Sequence, residues 1–374
     1  MALIGGAAHT LLVRSPDGGG THPSAVRKSA KKGLIMLRTQ VAKKLFLSFS
    51  ALVFLSGYFL SSESSGTERL AALYSSNSVS YSFPWIAKEA GLFRKYNLEP
   101  DIVYIPASAI ATAALLSDGV ELAMAGGVGF VRAFVRGATD IVFIGSFKNF
   151  LTISVVAKPE IKRPEDLKGR KIGVTRLGSN SHYFAVQALR RLGLDPARDV
   201  TFIQIGAETE ILTALIKGLI DAGSIPPPLD ARALALGFQY IAYGPDVGIL
   251  YPAANIVTRR SVIAKRPEVL GRFMQAMAEA SKILHTDREF TYKVLAKLFR
   301  VSDRKLLDHA YGAEIKVMER RLDFRPEGIQ VILEEISQID PRAKRVKPQD
   351  LLDRRYLDEM EKSGFFAQLW TEKH

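Results

Sequence analysis

The 374-residue chain has no cysteine. That absence excludes a disulfide framework, a thiol nucleophile, an iron–sulfur centre, a thiolate zinc site and a lipid-modified cysteine anchor. The common reactive signatures are missing too. There is no phosphate loop of the GxxxxGKS or GxxxxGKT form, no HExxH helix, no GxSxG elbow and no Asp-rich calcium loop. Gly126, Gly127 and Gly129 hint at a dinucleotide turn, but Arg132 stands where the third glycine belongs, so tight strand–helix packing is the simpler reading. Of six histidines, His9 and His22 precede the folded body and His374 ends the chain, while His285 and His309 fall near helix ends. Only His182 has polar neighbours, in Gly-Ser-Asn-Ser-His. Glu208 and Glu210, at the start of an expected helix, read as partners of its dipole rather than as an acid–base pair. No catalytic residue, metal site or cofactor is expected.

Charge is abundant but unevenly placed. The net charge is +13, and residues 1–44 supply +7 of it, with eight Lys or Arg against Asp17 alone. The remainder is spread over 330 residues and calls for no nucleic-acid partner. The length predicts two domains, and 47% hydrophobic with 24% charged residues excludes a disordered or fibrous chain.

The 16-residue apolar run LFLSFSALVFLSGYFL (45–60) follows Lys43-Lys44 and precedes small polar residues. Basic, apolar and small-polar segments in that order are the layout of a secretory signal, so residues 36–66 read as a signal peptide or an uncleaved N-terminal anchor. A buried core helix is the third reading. Either of the first two places the body beyond the membrane, with membrane contact through 45–60 if the run stays attached. Residues 1–35, rich in Gly, Ala and Ser and ahead of a second methionine, Met36, read as a disordered extension or a misassigned start.

From Leu70 onward short apolar strands alternate with helical periods. Strands are expected at 70–76, 101–106, 122–127 and 140–147, with one helix from Ser82 to Lys95 and others at 108–117 and 130–137. The pattern restarts with strands at 171–175, 199–206, 221–226 and 238–244 and intervening helices. Such alternation predicts two α/β units built on parallel sheets with right-handed crossovers. A loose echo links them, Gly119-Val-Glu121-Leu-Ala against Gly218-Leu-Ile-Asp221-Ala. Beyond Pro252 helices dominate, the clearest being Pro267 to His285 with Val269, Leu270, Phe273, Met277, Ala280 and Leu284 on one face.

Open α/β sheets bind ligands beyond the carboxyl ends of their strands, where helix N-termini offer free amides. That rule selects the loops 75–82, 126–129, 178–182 and 225–228, all polar, Gly-rich or Pro-rich. Each also has a plainer reading: Ser82, Ser179 or Asn180 as an N-cap, the triple proline as a rigid bend. A gap lined by all four suits an anionic or heteroatom-rich polar ligand.

Phrases across the body carry a family resemblance. They are WIAKEAGLFRKYNLEPDIV (85–103), PEDLKGRKIGV (164–174), LGSNSHYFAVQALRRLGLDP (177–196), LIKGLIDAGSIPPP (215–228) and RRSVIAKRPEVLGRFMQAMAEAS (259–281). In order and spacing, from about Leu70 to Phe366, the chain resembles the solute-binding proteins of ABC importers that serve nitrate, taurine, aliphatic sulfonates and thiamine-pyrimidine precursors. The resemblance implies an α/β type II periplasmic-binding fold with two Rossmann-like lobes and a two-crossover hinge near 148–152 and 245–250. Lobe I would span 69–148 plus 248–374 and lobe II 149–247. It further implies an exported, periplasmic monomer, a small-molecule ligand, and ABC permease subunits with their ATPase as partners. By position, the implied ligand contacts are Asn77, Tyr81, Gly127, Val128, Ser179, Asn180, Ser181, His182, Pro226 and Asp230. The cysteine-rich motif of the pyrimidine-synthesising relatives is absent. A cytoplasmic enzyme on the same scaffold, such as a menaquinone-pathway lyase, and a membrane-anchored sensor are the alternatives.

Overall fold

The computed structural model describes residues 66–371; the extension 1–35 and the apolar run 45–60 lie outside the described residues. In chain order the first part holds β1 (Glu68–Tyr74), α1 (Phe83–Glu89), α2 (Leu92–Lys95), β2 (Leu98–Tyr104), α3 (Ser108–Leu116), β3 (Leu122–Ala125), α4 (Val128–Val135) and β4 (Ile141–Leu151). The second holds β5 (Ser154–Ala157), β6 (Arg170–Val174), α5 (Asn180–Arg191), β7 (Val200–Gln204), α6 (Glu208–Ile216), β8 (Ala222–Ile225), α7 (Leu229–Ala235) and β9 (Gln239–Ala242). After α8 (Gly244–Val247), β10 (Ile249–Arg259) returns to the first sheet. Helices α9 (Arg260–Lys265), α10 (Pro267–Thr286), α11 (Arg288–Phe299), α12 (Arg304–Ile315), α13 (Pro326–Ser337), α14 (Arg355–Lys362) and α15 (Phe365–Trp370) follow.

The strands form two five-stranded sheets of matching order, β2-β1-β3-β10-β4 and β7-β6-β8-β5-β9. Both differ from the all-parallel expectation in the same way. β10 runs antiparallel to β3 and β4, and β5 runs antiparallel to β8 and β9. The reason is geometric. β4 delivers the chain at the carboxyl edge of the first sheet, so β5 enters the second sheet from its carboxyl edge and runs against its neighbours. β10 makes the reverse passage. A buried apolar strand reads the same in either direction, and the sequence pattern could not separate the two.

The helix expected from Ser82 to Lys95 is two helices. Gly91 between them has φ of 72°, a left-handed conformation that a glycine adopts without penalty and that redirects the chain. The six residues named on the 267–285 face are all buried, and Phe273 stacks on Phe93 at 6.0 Å. With α1, α11, α12, α14 and α15, this face builds a core over one side of the first sheet. The opposite side joins α3, α4 and α13 to residues of the second sheet in one further core.

The sequence echo has a structural counterpart. The Glu121 amide donates to the Ala71 carbonyl, and its carboxylate accepts the Ala71 amide at 3.0 Å. In the second sheet the Asp221 amide donates to the Lys171 carbonyl, and its carboxylate accepts the Lys171 amide at 3.0 Å. Each acid thus ties the start of one strand to the strand beside it, and each holds a cation, Arg266 at 2.7 Å and Lys158 at 2.9 Å. We predict that Glu121→Ala and Asp221→Ala each cost about 1–2 kcal/mol in urea unfolding. Unequal costs would show that the two acids are not equivalent.

Candidate ligand-binding site

The carboxyl ends of the parallel strands in both sheets face one gap, because the chain crosses between the sheets at that edge. Ser75, Ser76, Ser78, Ser80 and Tyr81 come from the loop after β1, and Ala107 and Ser108 from the start of α3. Thr175 and Ser179 to Ser181 follow β6, Glu208 opens α6, and Pro226 follows β8. Lys148, Leu151, Ile153 and Ala253 come from the strands that pass between the sheets, and Glu314 from α12. The space they enclose is about 30 Å³, enough for a water molecule or two.

The walls meet directly. The Ala109 amide donates to Ser179 Oγ at 3.2 Å, and the Asn180 amide donates to Ser108 Oγ at 3.2 Å. Asn180 Nδ2 donates to the Ala253 carbonyl at 2.9 Å, while its Oδ1 accepts Tyr251 Oη at 2.9 Å. Gly126 makes this possible: a Cβ there would lie 1.7 Å from Asn180 Oδ1. Tyr104 Oη donates to Glu208 Oε2 at 3.0 Å. Along one flank Tyr183 Oη and Gln187 Nε2 of α5 donate to Glu335 Oε1 of α13.

Charges in the gap are few and mostly committed. Lys148 Nζ lies 2.6 Å from Glu314 Oε1 and 2.8 Å from Thr152 Oγ1, and Glu314 Oε2 accepts the Ser80 amide at 2.7 Å. Both side chains are buried. Burial pulls the Lys148 ammonium below its usual range, and the Glu314 carboxylate works against that. Glu208 is 7% exposed, and burial raises its carboxyl above the usual range against donors from Ser76, Tyr104, its own amide and that of Asn77.

Of the residues singled out by resemblance, Tyr81, Ser179, Asn180, Ser181 and Pro226 line the gap. Asn77 stands at its margin with its amide toward Glu208. The Gly127 and Val128 amides are taken by the Pro252 carbonyl and Tyr251 Oη, at 2.9 and 3.1 Å. His182 turns into a separate groove between α5 and α13, where its Nδ1 accepts the Gly178 amide and its ring meets Phe202 edge-on. Asp230 is fully buried and outside the lining. It accepts Ser154 Oγ at 3.1 Å and Tyr240 Oη at 3.0 Å, and lies 3.3 Å from His309 Nε2 on α12. Ser108, Lys148, Glu208 and Glu314 also line the gap, beyond the contacts that the resemblance implies. Lys148 did leave a signal, a lone lysine inside the apolar run DIVFIGSFKNF. Among the described residues no group of three His, Asp or Glu side chains is arranged to hold a metal ion.

The profile of the family described as NMT1/THI5 like matches residues 81–289. The chain belongs to that family. A chain of Brucella abortus strain 2308, named only as a binding protein, is 26% identical over 247 residues, 65% of this chain and 75% of that one. The taurine-binding periplasmic protein of Escherichia coli K12 is 27% identical over 202 residues, 52% of this chain and 59% of that one. The alkanesulfonate-binding protein SsuA of Xanthomonas axonopodis pv. citri superposes with a TM-score of 0.64 at 20% identity, covering 77% of this chain and 99% of that one. The desulfurization enzyme DSZB superposes at 0.59 with 14% identity, covering 79% and 99%. The fold of this NMT1/THI5-like protein is therefore the periplasmic-binding fold, and that fold carries both binding proteins and an enzyme.

Two predictions follow from these charges. Lys148→Met strands a buried carboxylate and should cost about 3–5 kcal/mol in chemical denaturation, with the Lys148→Met/Glu314→Gln double variant recovering most of it. His309 faces Asp230, Tyr240 and Tyr243, and its pKa is raised, chiefly by Asp230. Its stabilising contribution is thus complete below the ordinary value of 6.5 and is lost as pH rises through the raised folded-state value. The melting-temperature difference between wild type and His309→Gln should be largest near pH 5.5 and shrink toward pH 8.

Proposed function

We propose that this protein is the extracytoplasmic solute receptor of an ABC importer, capturing a small polar solute and delivering it to a permease without altering it. One observation carries the reading: loops from the carboxyl ends of β1, β2, β6, β7 and β8 converge on a single polar gap that the chain crosses twice. The crossings form a hinge between lobe I, 69–148 with 248–374, and lobe II, 149–247. A gap of about 30 Å³ admits a solute only when the lobes part, so binding is coupled to opening and closure. Only a solute touching both walls favours the closed form. Tyr81, Ser108, Ser179 to Ser181, Glu208 and Pro226 supply those contacts.

Family membership and the names of the relatives support this reading, as does the periplasmic location of the Escherichia coli relative. Among the described residues no helix is long and apolar enough to cross a membrane, and export rests on the run 45–60. The enzyme sharing the fold supplies the second reading. Against it, the hydroxyls that line the gap bond to one another, to Glu208 and to backbone, and His182 points elsewhere, so among the described residues no lining serine is paired with a histidine.

The test is a thermal-shift screen with nitrate, bicarbonate, taurine, alkanesulfonates, pyrimidines and aromatic acids. A true solute at a hundred times its Kd should stabilise by about 2.7 kcal/mol and be recovered unchanged by NMR. Chemical conversion of the bound solute, or stabilisation by none of them, overturns the proposal.

A further inference from the structure

The gap has an unusual charge count for a site in a chain with net charge +13. Its one cation, Lys148, is held by Glu314 at 2.6 Å, and that pair is neutral. Glu208 is then a second carboxylate, and no cationic side chain is bonded to it; its donors are Tyr104 Oη, Ser76 and backbone amides. Among the described lining residues there is no arginine and no second lysine. A bare inorganic or alkyl anion placed here would meet a buried carboxylate with no counter-charge.

The donors on Glu208 also divide by wall. Tyr104, Ser76 and Asn77 belong to the first sheet and its loops, whereas Glu208 opens α6 of the second. When the lobes part, these donors leave and Glu208 keeps only its own helix amide. A solute that enters must bring a replacement donor, or the carboxylate closes back unsatisfied. We propose that Glu208 is the specificity-determining residue of the gap and selects a solute bearing a protonated amine or an amino-heterocycle, placing that nitrogen against its carboxylate. This rests on the solute-receptor reading and narrows it. Serine hydroxyls of the opposite loop remain for the polar far end of such a solute, which accounts for a lining rich in neutral donors and poor in charge.

The experiment uses matched probes and the full chain. Isothermal titration compares taurine with isethionate, which replaces the ammonium by hydroxyl, and 4-aminopyrimidine with pyrimidine; nitrate is the bare anion. In parallel, small molecules released by denaturing the freshly purified protein are identified by mass spectrometry. The expected result is at least tenfold tighter binding of an amine-bearing member, or release of an amine-bearing solute. Glu208→Gln should abolish that preference while its melting temperature and circular dichroism stay near wild type; should that variant unfold, the wild-type comparison decides alone. Equal or tighter binding of isethionate, pyrimidine or nitrate, or release of a solute without such a nitrogen, overturns the inference and leaves the receptor reading standing. If no probe binds and nothing is released, both fall.

Discussion

The pairing of β4 with β10 is the constraint on which the rest depends. These two strands run from Ile141–Arg259 at one end to Leu151–Ile249 at the other, and both connections to the second sheet leave from that latter end. Once the ribbon is formed, the first sheet must present its carboxyl edge to the second. The second sheet, entered by β5 from that side, must present its own edge in return. The gap is therefore a consequence of where the chain crosses. Apart from Glu314 on α12, what lines it stands on the crossing strands or follows strand ends, which are the most rigid points from which a loop can start.

Helix α12 converts this topology into an electrostatic arrangement. Glu314, near its end, anchors to Lys148 and the Ser80 amide on the first-sheet side. His309, five positions earlier, reaches Asp230 and Tyr240 of the second. One helix thus touches the crossing strand, the loop after β1, and the far wall. The Lys148 pair is buried and costly to separate, so it fixes α12 to the first sheet. The His309 contact is half-buried and set by one proton, so it is the weaker of the two.

Much of the architecture was legible in the sequence because it rests on period. The 3.6-residue spacing from Val269 to Leu284 describes a face that is buried throughout, and apolar runs such as DIVFIGSF mark strands in their places. What escaped was information that period does not carry. Strand direction leaves no trace in a fully buried run, so the antiparallel entry of β5 and β10 was invisible. The break at Gly91 interrupts a pattern that stays amphipathic on both sides. Within the site, loop polarity pointed to Ser179 and Asn180, but an acid at a helix start looks alike whether it caps or faces a cavity. Glu210 does cap, accepting the Ala207 amide at 2.8 Å, while Glu208, two residues earlier and so on another side of the helix, faces the gap.

That difference between neighbouring acids shows how a shared scaffold acquires its own chemistry. The fold serves relatives named for taurine and alkanesulfonates and an enzyme of desulfurization, so the sheets and crossings do not choose the solute. The choice lies in which side chains stand at the strand ends and what remains unpaired there. In this chain the ammonium is neutralised from α12, a place far from the strand-end loops in sequence. A change at position 314 would leave that cation buried without its carboxylate and would also release the Ser80 amide in the loop after β1. The charge of the gap thus depends on a C-terminal helix that packs into the core over the first sheet, as well as on the strand-end loops.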